Sequence, residues 1–167
     1  MNKKVFQLLA DNTSGVLSRI SGLFSRRGYN IESITAGVTA DPRYSRITIV
    51  ASGDEDVLEQ IEKQVEKLVD VRSIKVLEPE ASVFYELCLV KVEVTPESRQ
   101  SIIAVANLFK CKAVDVQPNS MIFEITGNTS KIESFLTMID GYNILELART
   151  GLTGLSRGDG DVVWLDD

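Results

Sequence analysis

The sequence predicts an α+β protein of two successive units, each an antiparallel sheet with helices packed on one face. Two observations predict it. The apolar pattern alternates between strand-like and helix-like periods in the order βαββαβ, and the same order then occurs a second time. Between the two copies lies a short polar stretch with a proline, Glu78 to Ser82, of the kind that links domains. Two ferredoxin-like βαββαβ domains are therefore expected, at 1–78 and 83–151, followed by a tail at 152–167.

In the first half, "KKVFQLLA" reads as a strand. Ser14 to Arg27 reads as an amphipathic helix with Val16, Leu17, Ile20, Leu23 and Phe24 on one face, stopped by Gly28. "NIESITAGV" and the β-branched "SRITIVAS" are strands joined by a turn at Asp41-Pro42. Gly53 and Asp54 open a second helix, with Val57, Leu58, Ile61, Val65 and Leu68 inward, and "VRSIKVLE" is the fourth strand. In the second half, "ELCLVKVEV" is a strand and Pro96 opens a helix. "KAVDVQPN" and "SMIFEITG" form a hairpin, and Ser130 to Glu133 reads as a capping box ahead of a helix. "NILELART" closes the unit. Counted from Gly151, this end of the chain has four glycines, alternating charge and then a Val-Val-Trp-Leu run. It reads either as a frayed end or as a segment that orders against a partner, with Trp164 its largest apolar group.

Composition narrows function. With 167 residues, 44% hydrophobic and 25% charged, the chain has enough material for a core. A net charge of −6 disfavours sequence-independent nucleic-acid binding, which requires phosphate neutralisation. No apolar run reaches the roughly 20 residues of a membrane span, and "MNKKVFQLLADN", cut by Gln7 and Asp11, reads as a first strand and not as a signal peptide. A cytoplasmic protein is expected, for which the Asn-Thr-Ser triplets at Asn12 and Asn128 carry no glycosylation meaning. There is no histidine, which removes the commonest general base and most zinc sites. Cys88 and Cys111 sit in apolar runs and read as small buried hydrophobes. Neither a catalytic constellation nor a metal site is expected.

One loop stands out. Asp11, Asn12, Thr13, Ser14 and Gly15 fall just where the first helix begins. The simplest role is a cap supplied by Ser14 or another residue of the loop. The alternative is a seat for a small zwitterion: helix N–H groups near Gly15 for a carboxylate, Asn12 to orient polar groups, and Leu9, Val16 and Leu17 as apolar walls. The equivalent junction of the second half, "TPESRQS", has neither Asn nor Gly, so the topology alone does not demand them. Arg19, Arg26 and Arg27 share the first helix of an otherwise acidic chain; they read as a solvated face or as contacts to an acidic partner.

"DNTSGVLSRISGLFSRRGYNIESI", "SRITIV", "VLEQIEKQVEKLVDV" and "RTGLTGLSRGD" together resemble the small regulatory subunits of acetolactate synthase, from Lys4 to about Asp159. The resemblance implies that the first half is an ACT domain, a βαββαβ amino-acid sensor, and that the second is the related C-terminal domain. It implies no catalysis and no cofactor on this chain. It implies a partner, the catalytic large subunit, which uses thiamine diphosphate, Mg and FAD. It implies activation of that partner and feedback inhibition by a branched-chain amino acid, foremost valine. It further implies a homodimer with the effector at the seam between two ACT domains, where Asn12, Thr13, Ser14, Gly15 and Val16 form one side and Asn30 and Ile31 the other. The competing readings are an ACT sensor on a different enzyme, an RNA-binding βαββαβ domain and a small acyl phosphate hydrolase. The RNA reading lacks aromatics on "SRITIVAS", and the hydrolase lacks a nucleophile-base pair.

Overall fold

A computed structural model describes residues 1–163; Trp164 lies outside the described residues. The chain divides into two compact units, one comprising Met1–Val83 with the segment from Leu152 onward, the other Phe84–Gly151.

The first unit contains β1 (Asn2–Asp11), α1 (Val16–Arg27), β2 (Asn30–Val38), β3 (Tyr44–Gly53), α2 (Glu55–Glu66) and β4 (Val71–Val76). Its antiparallel sheet has the order β2-β3-β1-β4. Alternation along the strands sends Phe6, Leu8 and Ala10 and their neighbours Ile47, Ile49 and Ala51 toward the helices, where they meet Ile20, Phe24, Leu58, Ile61 and Val65. Gly28 ends α1 in the left-handed region at φ 68°, and Tyr29 N–H returns to the Phe24 carbonyl at 2.9 Å. The other sheet face is also buried, and it carries polar residues: Gln7 is 1% exposed and Thr48 2%.

The second unit repeats the order with β5 (Ser82–Glu93), α3 (Arg99–Leu108), β6 (Lys112–Val116), β7 (Ser120–Gly127), α4 (Thr129–Met138) and β8 (Ile144–Arg149). Its strands follow the order β6-β7-β5-β8. Cys88, Val90, Val92 and Phe123 pack against Ile102, Ile132, Phe135 and Ile139. Burial raises both thiols, Cys111 to about 11, so neither ionises at neutral pH.

Four local expectations shift. α1 begins at Val16, because Gly15 takes the left-handed φ of 86° that no helix interior allows. α3 begins at Arg99, because Thr95 to Ser98 closes on itself: Thr95 N–H donates to Ser98 Oγ at 2.8 Å and Ser98 N–H to Thr95 Oγ1 at 3.1 Å. α4 is capped by Asn128, whose Oδ1 accepts from Lys131 N–H at 2.9 Å, so the cap lies two residues before Ser130. Finally, Pro79–Ala81 forms a single 3-10 turn and β5 starts at Ser82.

From Leu152 to Arg157 the tail is not frayed. β9 (Thr153–Ser156) pairs with β5, whose first two residues belong to the first unit. Arg157 N–H donates to the Ala81 carbonyl at 2.8 Å. Among the described residues no helix is long and apolar enough to cross a membrane.

Candidate functional site

At the end of β1 the chain must turn into α1. The backbone does so through Gly15, which takes a left-handed φ and, having no side chain, leaves the N-cap position without a side-chain hydrogen bond. The expected side-chain cap, from Ser14 or another loop residue, is therefore not formed; the N-cap position is Gly15. The helix start presents its N–H groups and dipole end to a hollow of about 260 Å³.

Asn12, Thr13 and Gly15 line one side of the hollow, with Val16 and Leu17 from the helix start; Ala36 of β2 and Ser45 and Ile47 of β3 line the other. The arrangement is polar at its rim and apolar at its floor, where Val16 and Ile47 are buried. Asn12 is held from both ends. Its Nδ2 donates to the Pro42 carbonyl at 3.0 Å, and its Oδ1 accepts from Ser45 Oγ at 3.2 Å. Its backbone N–H donates to the Arg43 carbonyl at 2.8 Å.

Charge closes the far end of the loop. Arg72 grips Asp11 with two hydrogen bonds, 2.7 and 2.9 Å. Asp11 N–H donates to the Asp70 carbonyl, and the Asp70 carboxylate takes Arg19 Nε at 2.5 Å. Hydrogen bonding to these acids raises both arginines further above their ordinary value. Arg19 also leans over Gly15: a Cβ there would stand 3.0 Å from Arg19 Nη1.

Of the sequence-predicted residues, the structure gathers Asn12, Thr13, Gly15 and Val16 around the hollow, while Ser14 is exposed beside it. Leu9, expected as a wall, points to the opposite sheet face, because alternation separates it from Leu8 and Ala10. Asn30 and Ile31 lie at the other end of β2, paired with Ser52 and Ala51, and Asn30 Nδ2 donates to Ser52 Oγ at 3.0 Å. Ser45 and Ser52 are seven residue steps apart along β3, about 23 Å, so one chain does not bring these two groups together. Ala36, Ser45 and Ile47 were not singled out from sequence. Strand alternation marks the side they face, but only the register reveals the loop they meet. Arg19 is engaged by Asp70, Arg27 Nη2 donates to Gln64 Oε1 at 3.0 Å, and Arg26 is exposed in the last turn.

The second unit does the same structural job by other means. Arg99 Nη2 donates to the Pro118 carbonyl at 2.7 Å, tying its helix start to its central turn as Asn12 does to Pro42. Its junction is filled by the Thr95–Ser98 bonds. Among the described residues no group of three His, Cys, Asp or Glu side chains is placed to hold a metal ion.

Two βαββαβ units, one with an open helix start at its first junction, define a protein of the two-domain ferredoxin-like class. Residues 6–73 match the family model described as "AHAS small subunit-like ACT domain", and residues 85–158 match "Small subunit of acetolactate synthase". The chain is 45% identical to the Escherichia coli acetolactate synthase isozyme 3 small subunit, covering 94% of this chain and 97% of that one. It is 40% identical to the Haemophilus influenzae acetolactate synthase small subunit, covering 96% and 99%. The crystal structure of the acetolactate synthase small subunit from Thermotoga maritima superposes with a TM-score of 0.88 at 37% identity, covering 95% of this chain and 99% of that one. The chain belongs to the acetolactate synthase small-subunit family. Membership supports a regulatory, non-catalytic role.

Proposed function

We propose that this chain binds the catalytic large subunit of acetolactate synthase in the cytoplasm, raises its activity, and makes it sensitive to a branched-chain amino acid, foremost valine. The observation that carries the sensing role is the hollow at Gly15. It offers helix N–H groups for a carboxylate, Asn12 and Ser45 for polar contacts, and Val16 and Ile47 for a small aliphatic side chain. One methylene in an apolar pocket is worth about 1–3 kcal/mol, so valine, leucine and isoleucine are graded and not sharply separated.

Two copies complete the seat. β2 is an edge strand, and it exposes Ile34 and Val38. Edges of this kind are usually paired or covered. Antiparallel pairing of β2 with β2 of a second copy, centred on Ile34, sets the second copy's Ile31 opposite Gly37, beside Ala36 of the hollow. This supports a homodimer in which Asn30 and Ile31 reach the effector from the other chain, next to Asn12, Thr13, Ser14, Gly15 and Val16. For the catalytic subunit, Arg26 and Arg27 are the favoured contacts, with Arg19 in a lesser part because Asp70 already holds it.

The test is a titration of purified large subunit with this chain, following acetolactate formed from pyruvate with thiamine diphosphate and magnesium. The chain alone yields no product; the mixture shows saturable activation that valine reverses. Arg26→Glu raises the concentration needed for activation. Product from the chain alone, or a partner unaffected by it, overturns the reading.

A further inference from the structure

The helix-free face of the first sheet carries one polar row. Register places Lys75 of β4 beside Gln7 of β1, Gln7 beside Thr48 of β3, and Thr48 beside Thr35 of β2. Three of these four side chains hold the tail, at alternate tail residues. Thr35 Oγ1 donates to the Leu152 carbonyl at 2.9 Å, Gln7 Nε2 donates to the Gly154 carbonyl, and Lys75 Nζ donates to Ser156 Oγ at 3.1 Å. The dimensions agree: three strand spacings are about 14 Å, and four extended residues span about 13 Å. Lys75 and Ser156 then share Asp161, at 3.1 and 2.6 Å. The tail is thus a strap laid across all four strands along a single row.

The row lies directly behind the hollow. Thr35 is the neighbour of Ala36, which lines it, and Arg46, which donates to Gln7 Oε1 at 3.3 Å, sits between the lining residues Ser45 and Ile47. Successive strand residues face opposite ways, so the strap grips one side of the same strand segments whose other side forms the seat.

We infer that seating of the strap and occupation of the hollow are coupled: the seated strap holds β2 and β3 in the effector-competent arrangement, and the effector in turn holds the strap down. Lys75, Gln7 and Thr35 are positioning residues in this device. The inference rests on the effector reading given above. Binding couplings are reciprocal and usually span about 5- to 150-fold.

The experiment uses the full chain. Calorimetry with valine, leucine and isoleucine measures affinity, and hydrogen exchange follows the amides of Thr153 to Asp161 with and without ligand. Lys75→Met removes the anchor on the strand that contributes nothing to the hollow, and Asp161→Asn weakens the same anchor from the tail side as a milder change. Thermal unfolding reports whether each variant folds. The expected result is slower tail exchange in saturated wild type and at least about fivefold weaker binding in both variants. Binding to wild type with tail exchange unmoved and variant affinities unchanged overturns the coupling and leaves the effector reading standing. No binding of any of the three amino acids to wild type overturns the effector reading and the coupling with it.

Discussion

Asn12 Nδ2 lies 3.0 Å from the Pro42 carbonyl, so the residue expected to greet a ligand also fastens the β1–α1 loop to the β2–β3 turn. Asn12→Ala removes both that donor and the acceptor for Ser45. Stability should fall by about 1 kcal/mol, the net worth of an ordinary hydrogen bond. Effector affinity should fall by about 1–3 kcal/mol if a charge-assisted bond goes with it. Arg99→Ala, which loosens the matching tie in the second unit, should leave effector affinity unchanged. Calorimetry and thermal unfolding on both variants check this.

Gly15 combines a left-handed backbone with an arginine overhead. Gly15→Ala should cost about 1–2 kcal/mol in backbone strain alone. The crowding with Arg19 is cheap, because the guanidinium is the far end of a flexible chain. Gly15→Asp adds a carboxylate at the helix start, within reach of Arg19, where a ligand carboxylate would sit. It should abolish the valine response while activation of the catalytic subunit persists. A valine response equal to that of Gly15→Ala would move the carboxylate seat elsewhere.

Glu86 is 5% exposed and is gripped by Arg149 at 2.5 and 3.1 Å, which pins β8 to β5. Hydrogen bonding to Glu86 is the main cause that raises the Arg149 guanidinium further above its ordinary value. Arg149→Met strands a buried carboxylate and should destabilise the second unit by about 3–5 kcal/mol. Glu86→Leu combined with Arg149→Met should recover most of that loss, since an apolar pair leaves no buried charge. Hydrogen exchange of the β8 amides reads the difference.

The strap should respond to acid. The Ser156 hydroxyl, and then Lys75, hold the Asp161 carboxyl below its ordinary 3.8. A depressed carboxylate stabilises the folded arrangement above its unfolded value and ceases to do so as pH falls through its lower folded value. Tail protection should therefore be flat from pH 8 to about pH 5 and decline below about pH 4. In Asp161→Asn the decline should be absent. Hydrogen exchange of Thr153 to Ser156 across that range is the measurement.

Much of this was legible in the sequence, because it is local. The two βαββαβ repeats follow from apolar periods of 2 and 3.6, which need only the neighbouring residues to be read. Gly28 as a helix stop, and the open junction at Asn12 and Gly15, follow from which backbone conformations those residues permit. Gln7 was visible as an interruption in an apolar strand, yet nothing near it in the chain says what it binds. Its partner, Gly154, is 147 residues away and comes to it only because β1, β2, β3 and β4 set their polar residues in one row. The same holds for Glu86 with Arg149, for Asn12 with Pro42, and for the tail, whose glycines and alternating charges look unstructured until a sheet face is supplied. Periodicity decides which side of a strand a residue occupies. Register and the return of the chain decide what waits there, and both are set by the packing of the whole sheet.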